Sequence, residues 1–486
     1  MKNKDIAPAW YISLIPVAVL MICLAAVIKI FGSDALSGGS QVALLMATGV
    51  AVAISMLFYR QKWEDLEESI VSNIKSVSGA ILILFMIGAI SGSWMISGVV
   101  PTLIYYGVQV ITPKIFLFAS CLICAAISVI TGSSWTTIAT IGIALLGIGS
   151  ALGFSPGWTA GAIISGAYFG DKISPLSDTT VLASSSSGTP LFVHIRYMMI
   201  TTIPSFIIAS VIFLVASLTY ETSSEIAVSE FRDALGNTFN ISPWLLLIPV
   251  ITCILIARKV PAILTLFISA LLAGAVALFV QPDIIAEIAG PEAGSGFAEG
   301  FRGLFITYYG STAIETGNET LNGLISTRGM TGMLNTIFLI IIAAAFGGVM
   351  VGNGMLKSIT GLLMRYVSKP APTVASTVGG GIFCNMATGD QYLSIILTSS
   401  LFKKLYETKG YENRLLSRSV EDSATVTSVL IPWNSCSMTQ ATVLKIPTLE
   451  FLPFCFFNLI SPVMSILIAA IGYKIIKPDT FNKSES

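Results

Sequence analysis

Apolar segments long enough to cross a bilayer recur along the chain, at 11–31, 41–58, 79–100, 199–219, 243–257, 262–280, 334–352 and 450–474. About 20 consecutive apolar residues make one helical crossing. With 54% hydrophobic and 11% charged residues in 486, the chain carries more apolar surface than one water-facing core can hide. It reads as an all-α polytopic membrane protein with the lipid bilayer as its first partner, because only helices and closed barrels satisfy their own backbone in lipid. A formal net charge of 0 gives nucleic acid nothing to bind. The seven cysteines lie in or beside apolar runs, and Cys121 with Cys124 reads as a pair of small packers on one helical face. The apolar run that follows MKNKDIAPAW reaches Phe31, too long for a signal peptide, and is read as a retained first helix.

Two further regions, 115–190 and 371–445, are apolar but broken by Gly, Pro, Ser, Thr, Asn and acids. Assigning basic loops to the cytoplasm places Lys2, Lys4, Arg60, Lys62, Lys75, Arg258, Lys259, the segment from Lys403 to Arg418, Lys474, Lys477 and Lys483 inside. The acid-rich segments 221–233 and 283–328 fall outside. Threading the chain through these constraints predicts a re-entrant hairpin at 115–152 and a discontinuous transmembrane helix at 159–190, interrupted near 174–178. The same elements recur at 371–402 and at 420–445, where the interruption lies near 432–435. Residues 1–220 form a first repeat, 221–242 an external linker and 243–486 a second repeat. Five crossings per half make the two repeats inverted in topology and leave both termini cytoplasmic. A shift of 257 positions pairs Pro113 with Pro370, Thr131 with Thr388, Gly132 with Gly389, Trp135 with Tyr392, Pro175 with Pro432 and Pro190 with Pro447. Inverted repeats with broken helices are an architecture of secondary transporters.

Ionisable groups at membrane depth cost about 2.5–3.5 kcal/mol each on insertion scales, so they mark ion paths more often than packing. The stretch GAYFGDKISPLSDTT, residues 166–180, concentrates such groups. The expected lining of the first half is Thr131, Ser133, Ser134 and Thr136 at the hairpin tip, with Asp171, Ser174, Ser177, Asp178 and Thr179 at the break. In the second half it is Asn385, Thr388 and Asp390, with Thr425, Thr427, Ser428, Asn434 and Ser435. Oxygen-only ligands suit a hard ion such as sodium. Asp171 and Asp178 confined together repel, so one can hold a proton until a cation replaces it. Asp171 lies the deeper from the outside end. The bland reading pairs these acids with Lys172 or Arg196 in a salt bridge, and Lys172 otherwise reads as a charge partner or a snorkelling side chain. Asp390 reads equally as a helix N-cap. Glu421 and Asp422 read either as a cytoplasm-facing helix start with a local ion pair to Arg418, or as a proton or substrate partner. Gly88 with Gly92 and Gly348 with Gly352 make close-packing faces, and the run 355–369 lies along the cytoplasmic interface. With no phosphate-binding loop, nucleotide fingerprint or nucleophile triad, no enzyme is read here and no cofactor beyond sodium and protons as coupling ions.

GAYFGDKISPLSDTTVLASSSSGTPLFVHIRYM, LSRSVEDSATVTSVLIPWNSCSMTQATVL and PTLEFLPFCFFNLISP resemble the NhaC family of sodium/proton antiporters, which also includes malate/lactate antiporters and amino-acid carriers. The resemblance runs over essentially the whole chain. It implies membership of the broader ion-transporter superfamily, two inverted repeats, an elevator-like motion and a site around Asp171, Asp178 and Asn434. VLASSSSG after SPLSDTT, and Thr388-Gly389-Asp390-Gln391 at the second hairpin, depart from the ion-exchanging members. The cargo is therefore not chosen by the resemblance. The expected function is sodium/proton antiport by alternating access in a bacterial cytoplasmic (inner) membrane. The alternative is a sodium-coupled transporter or exchanger of a small carboxylate or amino acid, and a homodimer is left open as the assembly.

Overall fold

Helix follows helix through the computed structural model, which describes residues 8–31, 38–221, 225–294, 296–364, 367 and 369–475. The basic residues Lys2, Lys4, Lys477 and Lys483, and part of the run 355–369, lie outside the described residues. The first two spans, α1 (Trp10–Phe31) and α2 (Gly39–Tyr59), pair with each other. Helix α3 (Trp63–Ile96) starts earlier than its apolar run because Glu64 and Asp65 favour a helix N-terminus. It gives way at Gly98 to the shorter α4 (Val99–Val110).

Next come α5 (Phe116–Thr131), then α6 (Ser134–Thr137), which runs through a π turn at Ile138–Gly142 into α7 (Ile143–Ala151). The interrupted helix is α8 (Pro156–Ile173) and α9 (Asp178–Ser187), followed by the long α10 (Leu191–Thr219). Helices α11 (Glu225–Thr238), α12 (Leu247–Ala257), α13 (Ala262–Val280), α14 (Pro282–Ala289), α15 (Phe297–Tyr309) and α16 (Glu319–Ile325) occupy the middle of the chain. The second half holds α17 (Leu334–Gly352), α18 (Met355–Leu363), α19 (Pro370–Thr388), α20 (Gln391–Lys409) and α21 (Asn413–Val420). A π turn at Glu421–Thr425 and a 3-10 turn at Ser428–Leu430 precede α22 (Ser435–Leu444), α23 (Thr448–Phe451) and α24 (Phe456–Ile471).

Among the described residues, eight helices are long and apolar enough to cross a membrane, and up to ten if two bent pairs count as spans. The expected spans at 243–257 and 450–474 belong to those bent pairs, α11 with α12 turning by 93° and α23 with α24 by 54°. The sharp turn into α12 falls at Ser242–Pro243, where proline fixes the backbone at a helix start.

The hairpin tips have a local cause. Gly132 and Gly389 end α5 and α19 in the left-handed region, with φ of 65° and 64°, a conformation that glycine takes without a Cβ penalty. The helix that follows each one starts on its own side-chain cap: Ser133 Oγ accepts from Thr136 N at 3.2 Å, and Asp390 Oδ1 from Leu393 N at 2.9 Å. The two breaks restart likewise, Ser177 Oγ accepting from Thr180 N and Asn434 Oδ1 from Cys436 N. Four short polar residues thus set where helices begin inside an apolar body.

Helix α5 packs most closely on α8. A Cβ on Gly166 would stand 2.1 Å from the Cys121 carbonyl oxygen, and one on Gly170 2.3 Å from that of Ala125. Small residues let the two backbones approach, and Ser128 Oγ donates to Ala167 O across the contact at 2.6 Å. Gly88, Gly92, Gly348 and Gly352 serve the same purpose, each against another chain segment. Buried Cys121 and Cys124 are free thiols at the α5–α8 contact. Gly166→Leu is expected to remove most of the folded, monodisperse protein, scored by fluorescence-detected size exclusion. Gly49→Leu is the control that leaves it intact, since nothing stands within 4 Å of a Cβ there.

Candidate functional site

The break between α8 and α9 is a short polar loop held on both sides. Ser174 Oγ donates to Val129 O on α5 at 2.8 Å, and Thr180 Oγ1 to Lys172 O at 2.9 Å. One turn before the break, Asp171 is 6% exposed and takes two bonds on Oδ2 from Ser134, one from the backbone N at 3.1 Å and one from Oγ at 2.7 Å. Ser134 is the first residue of α6, so the carboxylate also faces a helix N-terminus. Asp178 opens α9 and is exposed.

Both acids line one cavity of about 740 Å³ with Thr131, Ser133, Thr136, Ser177 and Thr179. The remaining wall includes Trp135, Gln391 and Tyr392, and the cavity reaches Lys259 and Pro261 in the turn between α12 and α13. Of the residues expected in the first half, Ser134 reaches this place through its bonds to Asp171 and Ser174 only by shaping the break.

The second-half residues form a closed polar knot. Asn385 Nδ2 donates to Ala424 O at 2.7 Å and to Thr427 Oγ1 at 3.1 Å, and Asn434 Nδ2 donates to Asn385 O at 3.3 Å. Asp390 caps α20, takes a bond from Ser435 Oγ at 3.3 Å and lies beside Thr388, whose Oγ1 donates to Asp390 O. Ser428 Oγ donates to the Thr425 carbonyl at 2.7 Å, and Gln391 Nε2 donates to that same carbonyl at 2.9 Å. Gln391 therefore joins the knot to the cavity. Gln391 and Tyr392 are absent from the lining expected from the sequence, although Tyr392 lies 257 positions after Trp135, the shift that pairs Thr131 with Thr388, and that is the available signal.

The charges at 172 and 418–422 differ from expectation. Lys172 forms an ion pair with Asp422 in which both side chains are fully buried, and it is bonded to neither Asp171 nor Asp178. Arg196 is exposed. The reading of Glu421 and Asp422 as a solvent-facing helix start is corrected: α21 begins at Asn413, and both acids are buried on the π turn one helix-length later. Asp422 accepts from Thr201 Oγ1 at 2.9 Å and from Ser461 Oγ at 3.2 Å, and Arg418 Nε stands 3.9 Å from its second oxygen. Lys172, Arg418, Glu421 and Asp422 are all fully buried, so their charges meet one another rather than water.

The Na+/H+ antiporter family profile matches residues 6–186 and 166–473 of the chain. A Na(+)/H(+) antiporter NhaC of Alkalihalophilus pseudofirmus is 38% identical over 415 residues, 85% of this chain and 87% of that protein. A malate-2H(+)/Na(+)-lactate antiporter of Bacillus subtilis is 36% identical over 89% of both chains. An arginine/ornithine antiporter of Halobacterium salinarum is 33% identical over 97% of this chain and 94% of its own.

Proposed function

The chain belongs to the Na+/H+ antiporter family, and from that premise we propose that it exchanges sodium for protons across the bacterial cytoplasmic membrane, with Asp171 as the carboxylate the two cations share. One observation carries the reading: a buried carboxylate, bonded by Ser134, stands in the wall of a cavity lined by hydroxyls and a second acid. A buried charge of this kind needs a counter-charge or a proton. Sodium completes its shell from the hydroxyls of Thr131, Ser177 and Thr179, and Asp178 draws cations into the mouth.

The transport cycle is alternating access between two inverted repeats. Its support is the position of helix ends: α5 and α19 stop at 131 and 388, α9 and α22 span 178–187 and 435–444, and both comparisons fall 257 apart. Each hairpin tip meets the break of its own repeat. A Cβ on Gly132 would stand 2.7 Å from the Leu176 backbone, and Ser435 N donates to Gly389 O at 2.8 Å. If the broken helices cross the bilayer, the tips lie near its middle and the hairpins are re-entrant, although the stretches 113–131 and 134–151 are each long enough to span. Basic turns on the cytoplasmic side then put both termini inside and make the cavity, which reaches Lys259, open inward.

A second reading, sodium-coupled exchange of a small carboxylate or amino acid, is favoured by the cavity itself, since about 740 Å³ far exceeds the roughly 30 Å³ share of one water. Reconstituted vesicles with an imposed sodium gradient decide between the two. Sodium-driven proton movement without any organic solute is the expected result. Movement that needs added malate, lactate or arginine selects the second reading, and no movement under either condition removes both.

A further inference from the structure

We infer that His194 and Glu421 share one titratable proton, forming a second proton-binding site apart from the cavity that holds Asp171 and Asp178. His194 is the single histidine of the chain and is buried near the start of α10. Its Nδ1 lies 2.8 Å from Ser417 Oγ, and that hydroxyl donates its proton to Arg414 O at 3.1 Å. A hydroxyl has one proton to give, here taken as spent on the carbonyl, so that the serine accepts from Nδ1–H. The neutral ring then presents a bare lone pair at Nε2, and what Nε2 faces is Glu421 Oε2 at 4.0 Å.

Neither carboxylate oxygen of Glu421 has a hydrogen-bond partner, nor does His194 Nε2, and both side chains are fully buried. A lone pair set against an ionised carboxylate is repulsive, and a buried carboxylate without donors is costly. One proton between them relieves both faults, whichever of the two carries it. Thr425, one turn on and itself unpartnered, offers at most one hydroxyl donor. The other charged neighbours are committed elsewhere. From α8 come Lys172 and Asp171, from α21 Arg418, and Asp422 is the neighbour on the π turn. Lys172 is taken up by Asp422 and Ser461, while Arg418 makes no hydrogen bond and lies over the Tyr197 ring of α10 at 5.0 Å. The other packed elements bring Cys384 on α19, buried Tyr406 on α20, exposed Asp178 on α9 and the uncharged Ser461 and Asn458 on α24. Arg414, one turn from Ser417, is part-exposed.

The test uses the full-length protein in lipid nanodiscs, purified without a histidine tag so that His194 alone carries the 15N-histidine signal. Wild type is expected to show an Nδ1–H imidazole or an imidazolium at neutral pH. In Glu421→Gln the imidazole titration is expected to move, and a pH jump monitored by indicator dye is expected to take up one proton fewer per chain, with or without sodium. An Nε2–H imidazole, or a proton count unchanged by Glu421→Gln, overturns the inference. Should the variant fail to fold, the wild-type tautomer decides alone. No transport assay enters, so the inference stands or falls independently of the antiport reading.

Discussion

Asp171→Asn is expected to reduce sodium-driven proton exchange in vesicles to the background of protein-free liposomes, while the variant purifies like wild type. The amide still accepts from Ser134 N and Oγ, the bonds that place Asp171 against α6, but it carries no charge for a cation and no titratable proton. Asp178→Asn, at the exposed start of α9, is expected to raise the sodium KM several-fold and leave exchange in place. In wild type, proton and sodium compete for one carboxylate. Below the midpoint of that group each further pH unit therefore raises the apparent sodium KM by about tenfold, the limit for one proton against one cation. Exchange that keeps its pH dependence in Asp171→Asn would move the shared site to another acid, with Asp178, Asp390 and Glu421 next in line.

The second large effect concerns folding. Neutralising one member of the Lys172–Asp422 pair, both fully buried, leaves a charge without its partner, a loss of about 3–5 kcal/mol in comparable cases. Asp422→Asn is expected to be the worse single change, because it strands Lys172 and Arg418 together, whereas Lys172→Met leaves Asp422 with Arg418 and Thr201. The double variant removes both charges of the pair and is expected to regain part of the loss of Asp422→Asn, the remainder staying with Arg418, which has lost its nearest carboxylate. Equal melting temperatures for the two single variants and wild type would show that the pair holds nothing together. The pair joins α8 to the π turn across 250 positions of chain, so its loss also tests whether the two halves are tied at this point.

The distinction between the readable and the unreadable parts follows the range of the forces involved. The interruption at 174–177 was expected near Ser174 to Asp178, and the second restart at Ser435 near Pro432 to Ser435, because caps and prolines act within one turn of chain. The additional loosening at Glu421–Thr425 and Ser428–Leu430 has no comparable local mark: VEDSATVTS contains neither glycine nor proline. The spans at 243–257 and 450–474 have the apolar composition of crossings, yet each is bent at its start, since hydropathy measures solvent preference and not direction.

The candidate lining divides along the same line. Thr131, Ser133, Thr136, Asp171, Ser177, Asp178 and Thr179 share one cavity, and their nearness in sequence to a tip and a break made the grouping legible. Asn385, Thr427 and Asn434 carry the same polar chemistry but spend it on one another. Residue type does not say whether a polar group meets a cavity or another polar group.

The sequence alone determined that this chain lives in lipid, and where the break at 174–177 and the restart at Ser435 fall, because hydropathy, helix caps and proline geometry are properties of contiguous residues. Only the tertiary structure decided that Lys172 answers Asp422 rather than Asp171, that Glu421 is sealed against His194, and that one polar lining is open and the other closed. Those outcomes depend on which faces of α8, α10, α21 and α24 meet, and that is settled by the packing of whole helices against one another.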